Sequence, residues 1–166
     1  MSYAVTIRRQ DLSALVDMRG EARQIAALLA GLDLALPDAP NTAAEAGDRA
    51  VYWLGPEHWL LRAPIAEEDA LLAGLHKDPL PPEISLVLVS DAYAFFEISG
   101  AEAAEVMAVA SPLDLHASVF PAKGSAFTEA FGLKALVVRR GDGFELAVDR
   151  SLGDMTEDYL NRVVAF

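Results

Sequence analysis

The chain has 166 residues, 53% of them hydrophobic, so it is long and apolar enough to bury a core as a single compact unit. A formal net charge of −12 and the lack of any cysteine exclude disulfides, thiolate nucleophiles and cysteine-based zinc sites, and set the surface against nucleic acid and anionic membrane. The opening MSYAVTIRRQ has no apolar leader, and no later run approaches the roughly 18 apolar residues needed to span a bilayer, so a cytoplasmic location is expected.

In chain order, 5–7 and 12–18 read as short strands, and Gly20 breaks the second. Residues 21–30 read as a helix because Ile25, Leu28 and Leu29 fall at helical spacing. The segment 36–48 carries Pro37, Pro40, Asn41 and Gly47 and reads as a loop. Two apolar runs, 51–54 and 58–62, flank Gly55-Pro56-Glu57, a hairpin signal. A helix over 67–75 is acidic at its start, where the dipole favours it, and Pro79, Pro81 and Pro82 then force a loop. Strands follow at 85–89 and 94–98, then a helix at 101–110. Strands at 135–139 and 144–148 are joined by Gly141-Asp142-Gly143. A last helix covers 151–163, with Ser151 placed to cap it and Asp154 near its third position.

The chain echoes itself. Met18-Arg19-Gly20, a helix and Leu32-Asp33-Leu34 match Ile98-Ser99-Gly100, a helix and Leu113-Asp114-Leu115. The turn Trp53-Leu54-Gly55-Pro56-Glu57, a strand and a helix match Arg139-Arg140-Gly141-Asp142-Gly143, a strand and a helix. Each half is β-α-loop-β-β-α, and 85–89 closes the first as βαββαβ. The expected fold is therefore α+β: two pseudo-repeated ferredoxin-like halves, roughly 1–90 and 91–166, with antiparallel sheets and helices on one face.

Catalytic groups are sparse. Gly141-Asp142-Gly143 begins like a dinucleotide fingerprint, but Leu146 stands at the third glycine and the turn joins two strands. His58, His76 and His116 share no ligand spacing, and no Gly-x-Ser-x-Gly elbow occurs. Trp53 and Trp59 bracket the first hairpin and suit either a stacking slot for a planar ligand or the core. Asp114 and His116 are residue types of an acid–base pair, yet Pro112 stops the preceding helix and Asp114 suits a turn that bonds its own backbone.

Taken together, Leu36-Pro37, Pro40-Asn41-Thr42, Trp53 to Leu61, Val89-Ser90-Asp91, Ile98-Ser99-Gly100, Pro112-Leu113-Asp114-Leu115-His116 and Asp149-Arg150-Ser151 resemble the gamma subunits of heterotetrameric sarcosine oxidases. That family is similar in fold to the folate-binding aminomethyltransferase of glycine cleavage. The resemblance implies a complex that oxidises sarcosine to glycine and passes the one-carbon unit to tetrahydrofolate. It implies FAD, FMN, NAD and tetrahydrofolate in the alpha and beta subunits, zinc in delta, and no cofactor, metal or catalytic residue in this chain. The acid-containing strand of the aminomethyltransferases corresponds to 131–139, where Lys134 and Ala135 stand near the place of the acid. A general base cannot become Lys or Ala without a change of mechanism.

The expected function is a non-catalytic subunit that supports assembly with alpha, beta and delta. The alternatives are a free-standing folate-binding or aminomethyl-transfer protein and a homo-oligomeric regulatory module. Candidate folate or interface residues are Trp53, Trp59, Asp91, Asp114, His116 and Arg150. A mean hydropathy of +0.25 leaves apolar surface for a partner.

Overall fold

The computed structural model describes residues 2–76 and 79–166. Its strands are β1 (Thr6–Arg9), β2 (Ser13–Arg19), β3 (Ala43–Ala46), β4 (Arg49–Gly55), β5 (His58–Pro64), β6 (Ser85–Leu88), β7 (Tyr93–Ser99), β8 (Ser125–Ala130), β9 (Leu133–Arg140) and β10 (Gly143–Asp149). The helices are α1 (Ala22–Ala30), α2 (Glu68–Leu75), α3 (Ala103–Ala110) and α4 (Gly153–Val164), with single 3-10 turns ahead of α2 and α4. No described helix is long and apolar enough to cross a membrane. The chain divides into two units, one of residues 12–91 and one that joins 1–11 to 92–166.

In the unit of 12–91 the strand order is β3-β4-β5-β2-β6, antiparallel throughout. Period-two alternation in β2 sends Ala14, Val16 and Met18 to one face, where α1 supplies Ile25 and Leu29 and α2 supplies Leu71 and Leu75. Both helices thus cover the same face of their sheet. Asp17 and Arg19 take the other.

The second unit repeats the plan. Its order, β8-β9-β10-β7-β1 when read from the matching edge, places β8, β9, β10 and β7 where β3, β4, β5 and β2 stand. The last position, held by β6 in one sheet, is held by β1 in the other. Its core joins Phe96 and Ile98 of β7, Phe144 and Leu146 of β10, Val106 and Met107 of α3 and Leu160 of α4.

Two glycines show how closely the repeat extends to backbone geometry. Gly20 and Gly100 follow β2 and β7, which hold matching positions in the two sheets, with φ of +142° and +133°. A Cβ at Gly20 would lie 3.0 Å from the Glu83 carbonyl oxygen, and one at Gly100 would lie 2.2 Å from that of Ala4. Both carbonyls belong to the approach to the edge strand, so each unit packs its edge entry against a bare α-carbon.

The sequence pattern departs from the structure in four places. β3 lies inside the segment read as a loop, and β8 was not anticipated, since Ala-Ala-Glu-Ala and Ser-Ala-Phe-Thr-Glu-Ala carry little β signal and form by pairing with β4 and β9. β1 joins the sheet of β7, with Ile7 opposite Ile98, and so belongs with 92–166 despite leading the chain. Ser151 does not cap the last helix: its amide and hydroxyl donate to Asp149 Oδ1 at 2.9 and 2.5 Å, which turns 150–152 into a 3-10 turn and starts α4 at Gly153. Those bonds hold the exposed Asp149 carboxyl below the usual carboxylate range.

Candidate functional site

The corner that follows α3 is built by hydrogen bonds to its own backbone. Asp114 Oδ1 accepts from the His116 amide at 2.9 Å, an Asx turn. The ring of His116 turns instead to Ser118, whose hydroxyl lies 2.7 Å from Nδ1 and whose amide donates to the same atom at 3.3 Å. Nδ1 is therefore the acceptor nitrogen. Asp114 and His116 are close in space, but the carboxylate holds the backbone, and the pair is not arranged as acid and base.

The corner is fastened from β9. Arg139 Nε donates to the Phe120 carbonyl at 2.6 Å, and a second guanidinium nitrogen donates to the Leu115 carbonyl. The same guanidinium lies over the Phe144 ring, 4.8 Å from its centroid. Leu115 is buried, as is Leu34 of the Leu32-Asp33-Leu34 echo. The two corners reach that result differently. Asp33 has φ +56° and the Leu34 amide folds back to the Leu29 carbonyl, an ending of α1 in the left-handed region.

Trp53 and Trp59 stand directly opposite each other on β4 and β5, on the face that α1 and α2 cover. Trp59 is 5% exposed and belongs to the core; Trp53 is half-buried against it. Both indoles therefore lie on the core face of their unit, at facing positions of the two strands. Arg150 is exposed; its amide bonds the Ala92 carbonyl at 2.9 Å and its side chain reaches the Tyr93 carbonyl at 3.3 Å. Lys134 is exposed on β9, opposite Glu129 of β8, and Ala135 is in the core.

Asp91 lies in a cleft of about 340 Å³ at the end of β6, lined by Leu12, Ile65, Glu68, Leu88 and Ser90. Ser90 links three elements here. Its hydroxyl donates to Glu68 Oε2 at the start of α2, and its oxygen accepts from the Leu15 amide of β2 at 3.1 Å. Of the residues singled out from sequence, the structure gathers Asp114 with His116 and sets Trp53 opposite Trp59.

Two polar clusters escaped the sequence reading. Asp17 Oδ2 accepts from His58 Nε2 at 2.7 Å, and Oδ1 accepts from Arg19 Nε at 2.9 Å. Burial opposes ionisation of Asp17, but the bonds from Arg19 and His58 outweigh it and hold the carboxyl below its usual range. In the other unit Glu145, only 5% exposed, accepts from Gln10 Nε2 at 3.0 Å and from Arg140 Nε at 2.7 Å. An acid inside an otherwise apolar strand was the available signal for both, in Ser-Ala-Leu-Val-Asp-Met-Arg and Gly-Phe-Glu-Leu-Ala-Val-Asp. Among the described residues no three His, Asp or Glu side chains gather as a metal site.

The chain is similar to known proteins along nearly all of its length. The pattern of the sarcosine oxidase, gamma subunit family matches residues 19–165. Sarcosine oxidase subunit gamma of Corynebacterium sp. (strain U-96) is 30% identical over 143 residues, 84% of this chain and 68% of that protein. A chain of the heterotetrameric sarcosine oxidase from Corynebacterium sp. U-96, solved with pyrrole 2-carboxylate, superposes with a TM-score of 0.84 at 26% identity, covering 99% of this chain and 85% of its own. Glycine cleavage aminomethyltransferase T from Bartonella henselae shares the fold alone, with a TM-score of 0.72 at 16% identity over 96% of this chain and 46% of that one. The family pattern runs from the last residue of β2 to the end of α4 and so covers most of both units, and the chain belongs to the sarcosine oxidase gamma subunit family.

Proposed function

We propose that this chain is the gamma subunit of a heterotetrameric sarcosine oxidase and serves assembly, while the chemistry resides in its partners. The observation that carries the reading is the superposition on a chain of the Corynebacterium heterotetramer over 99% of this chain. Alpha, beta and delta subunits are the partners in this reading, and FAD, FMN, NAD, tetrahydrofolate and zinc belong to them. The local chemistry supports it: His116, Asp114 and the two tryptophans are engaged in turn geometry and core packing. Co-expression with the alpha, beta and delta subunits of the same organism tests it. A stable four-subunit complex is expected; elution of this chain alone at micromolar concentration overturns the proposal.

A further inference from the structure

Four strands form the open edges of the two sheets: β3 and β6 in one, β1 and β8 in the other. An edge strand presents a row of unpaired N–H and C=O groups, and proteins ordinarily blunt such edges with charge. Three of these edges follow the rule. β1 carries Arg8 and Arg9, ion-paired to Glu97 and Asp154; β3 carries Glu45 and β8 carries Glu129. β6 reads Ser-Leu-Val-Leu and has no charge at all. The comparison with β1 is the sharpest, because β1 and β6 hold the same position in matching sheets.

The β6 edge is also where exposed apolar side chains collect. Val87 is 49% and Leu88 41% exposed on the strand itself, and Leu12 and Ile65, at 45% and 43%, line the adjoining cleft with Leu88. Glu68 and Asp91 supply the carboxylates of that cleft, in a chain whose net charge is −12. The backbone is set for pairing. The Val89 amide donates to the Leu15 carbonyl of β2 at 2.8 Å, so with a period of two the Val87 amide also faces β2. The amides of Leu86 and Leu88 then face outward.

We infer that the β6 edge and its cleft receive an extended segment of a partner subunit, which adds a strand to the sheet, lays apolar side chains on Leu12, Ile65 and Leu88, and brings a basic side chain to Glu68 and Asp91. Strand addition takes its affinity from main-chain bonds and its selectivity from pockets for alternate side chains, and the edge and the cleft provide the two. The acidic rim selects a Lys or Arg in the incoming segment. This inference rests on the subunit reading above.

Hydrogen exchange followed by mass spectrometry, on the isolated chain and on the co-expressed complex, separates the two. In the complex, peptides covering 84–91 are expected to exchange at least tenfold more slowly than in the isolated chain, with 10–13 and 63–68 also protected and 5–9 unchanged. Assembly of the complex with exchange at 84–91 unaltered overturns the inference and leaves the subunit reading standing; failure to assemble overturns that reading. Protection of 84–91 in the isolated chain together with a dimer mass assigns the edge to a second copy and overturns the inference too. Leu88→Pro removes an outward amide while sparing the ladder to β2. It and Asp91→Lys are each expected to reduce recovery of the complex about tenfold with the melting temperature kept within a few degrees. Recovery equal to the parent for both variants overturns the inference.

Discussion

Asp17 and His58 meet across the neighbouring strands β2 and β5, the carboxylate accepting the imidazole Nε2 hydrogen at 2.7 Å. The Asp17 carboxyl is held below its ordinary range, so the stability it contributes is fully present above that range and is lost as pH falls through its folded-state value. Asp17→Asn is expected to cost about 1–3 kcal/mol near neutral pH, since it leaves polar groups unmatched in a side-chain site only 18% exposed. Urea midpoints measured against pH should show the gap between parent and variant narrowing below about pH 4. A gap that stays constant down to pH 3 would show that the carboxylate charge is not its source.

Arg139, and not His116, fastens the corner after α3. Arg139→Lys loses the second of two carbonyl contacts and the guanidinium placed over the Phe144 ring, a change of about 2 kcal/mol. His116→Ala touches an exposed ring bonded to its near neighbour Ser118 and should change stability by less than about 0.5 kcal/mol. Thermal melts of the two variants side by side check the order.

Gly20 and Gly100 should both resist substitution, and unequally. At Gly100 an added Cβ meets backbone, the Ala4 carbonyl oxygen at 2.2 Å; at Gly20 the nearest atom is the movable Ile84 Cδ1 at 2.4 Å. Gly100→Ala is expected to cost about 3 kcal/mol and Gly20→Ala about 1–2 kcal/mol. Gly55→Ala, with open space around its Cα, serves as the neutral control. Equal melting temperatures for the three variants would contradict this reading.

The tryptophans give a test of the folate alternative. Trp59→Ala should cost about 3–5 kcal/mol as a core truncation, and Trp53→Ala distinctly less because it is only half-buried. Tetrahydrofolate titrated into the parent chain should leave tryptophan fluorescence unchanged. Saturable quenching at submillimolar ligand would revive a folate site in this chain.

Legibility in the sequence followed the strength of local signals. The apolar runs of β2, β5, β7, β9 and β10 and the apolar spacing of α1 are written in adjacent residues, and so are Gly20 after β2 and Gly100 after β7. β3 and β8 were not legible, because short Ala- and Glu-containing edges become strands only when β4 and β9 present a ladder to them. The sheet membership of β1 is a long-range fact: Ile7 pairs with Ile98, and nothing near Ile7 encodes it. At the candidate sites the Asx turn of Asp114 was readable from residue type and the proline before it. The bond from Asp17 to His58 was not, since it depends on the register that sets Arg19 opposite His58.

The matching positions of β1 and β6 carry a last consequence. β1 runs directly into β2 yet pairs with β7, and β6 runs toward β7 yet pairs with β2. The two sheets thus repeat one plan, with the last position filled by the strand that ends its own unit in one and by the strand that leads the chain in the other. No single break in the backbone yields two fragments that each hold a whole sheet. The unit of 12–91 is continuous, whereas the other closes its sheet only with a strand drawn from the far end of the sequence.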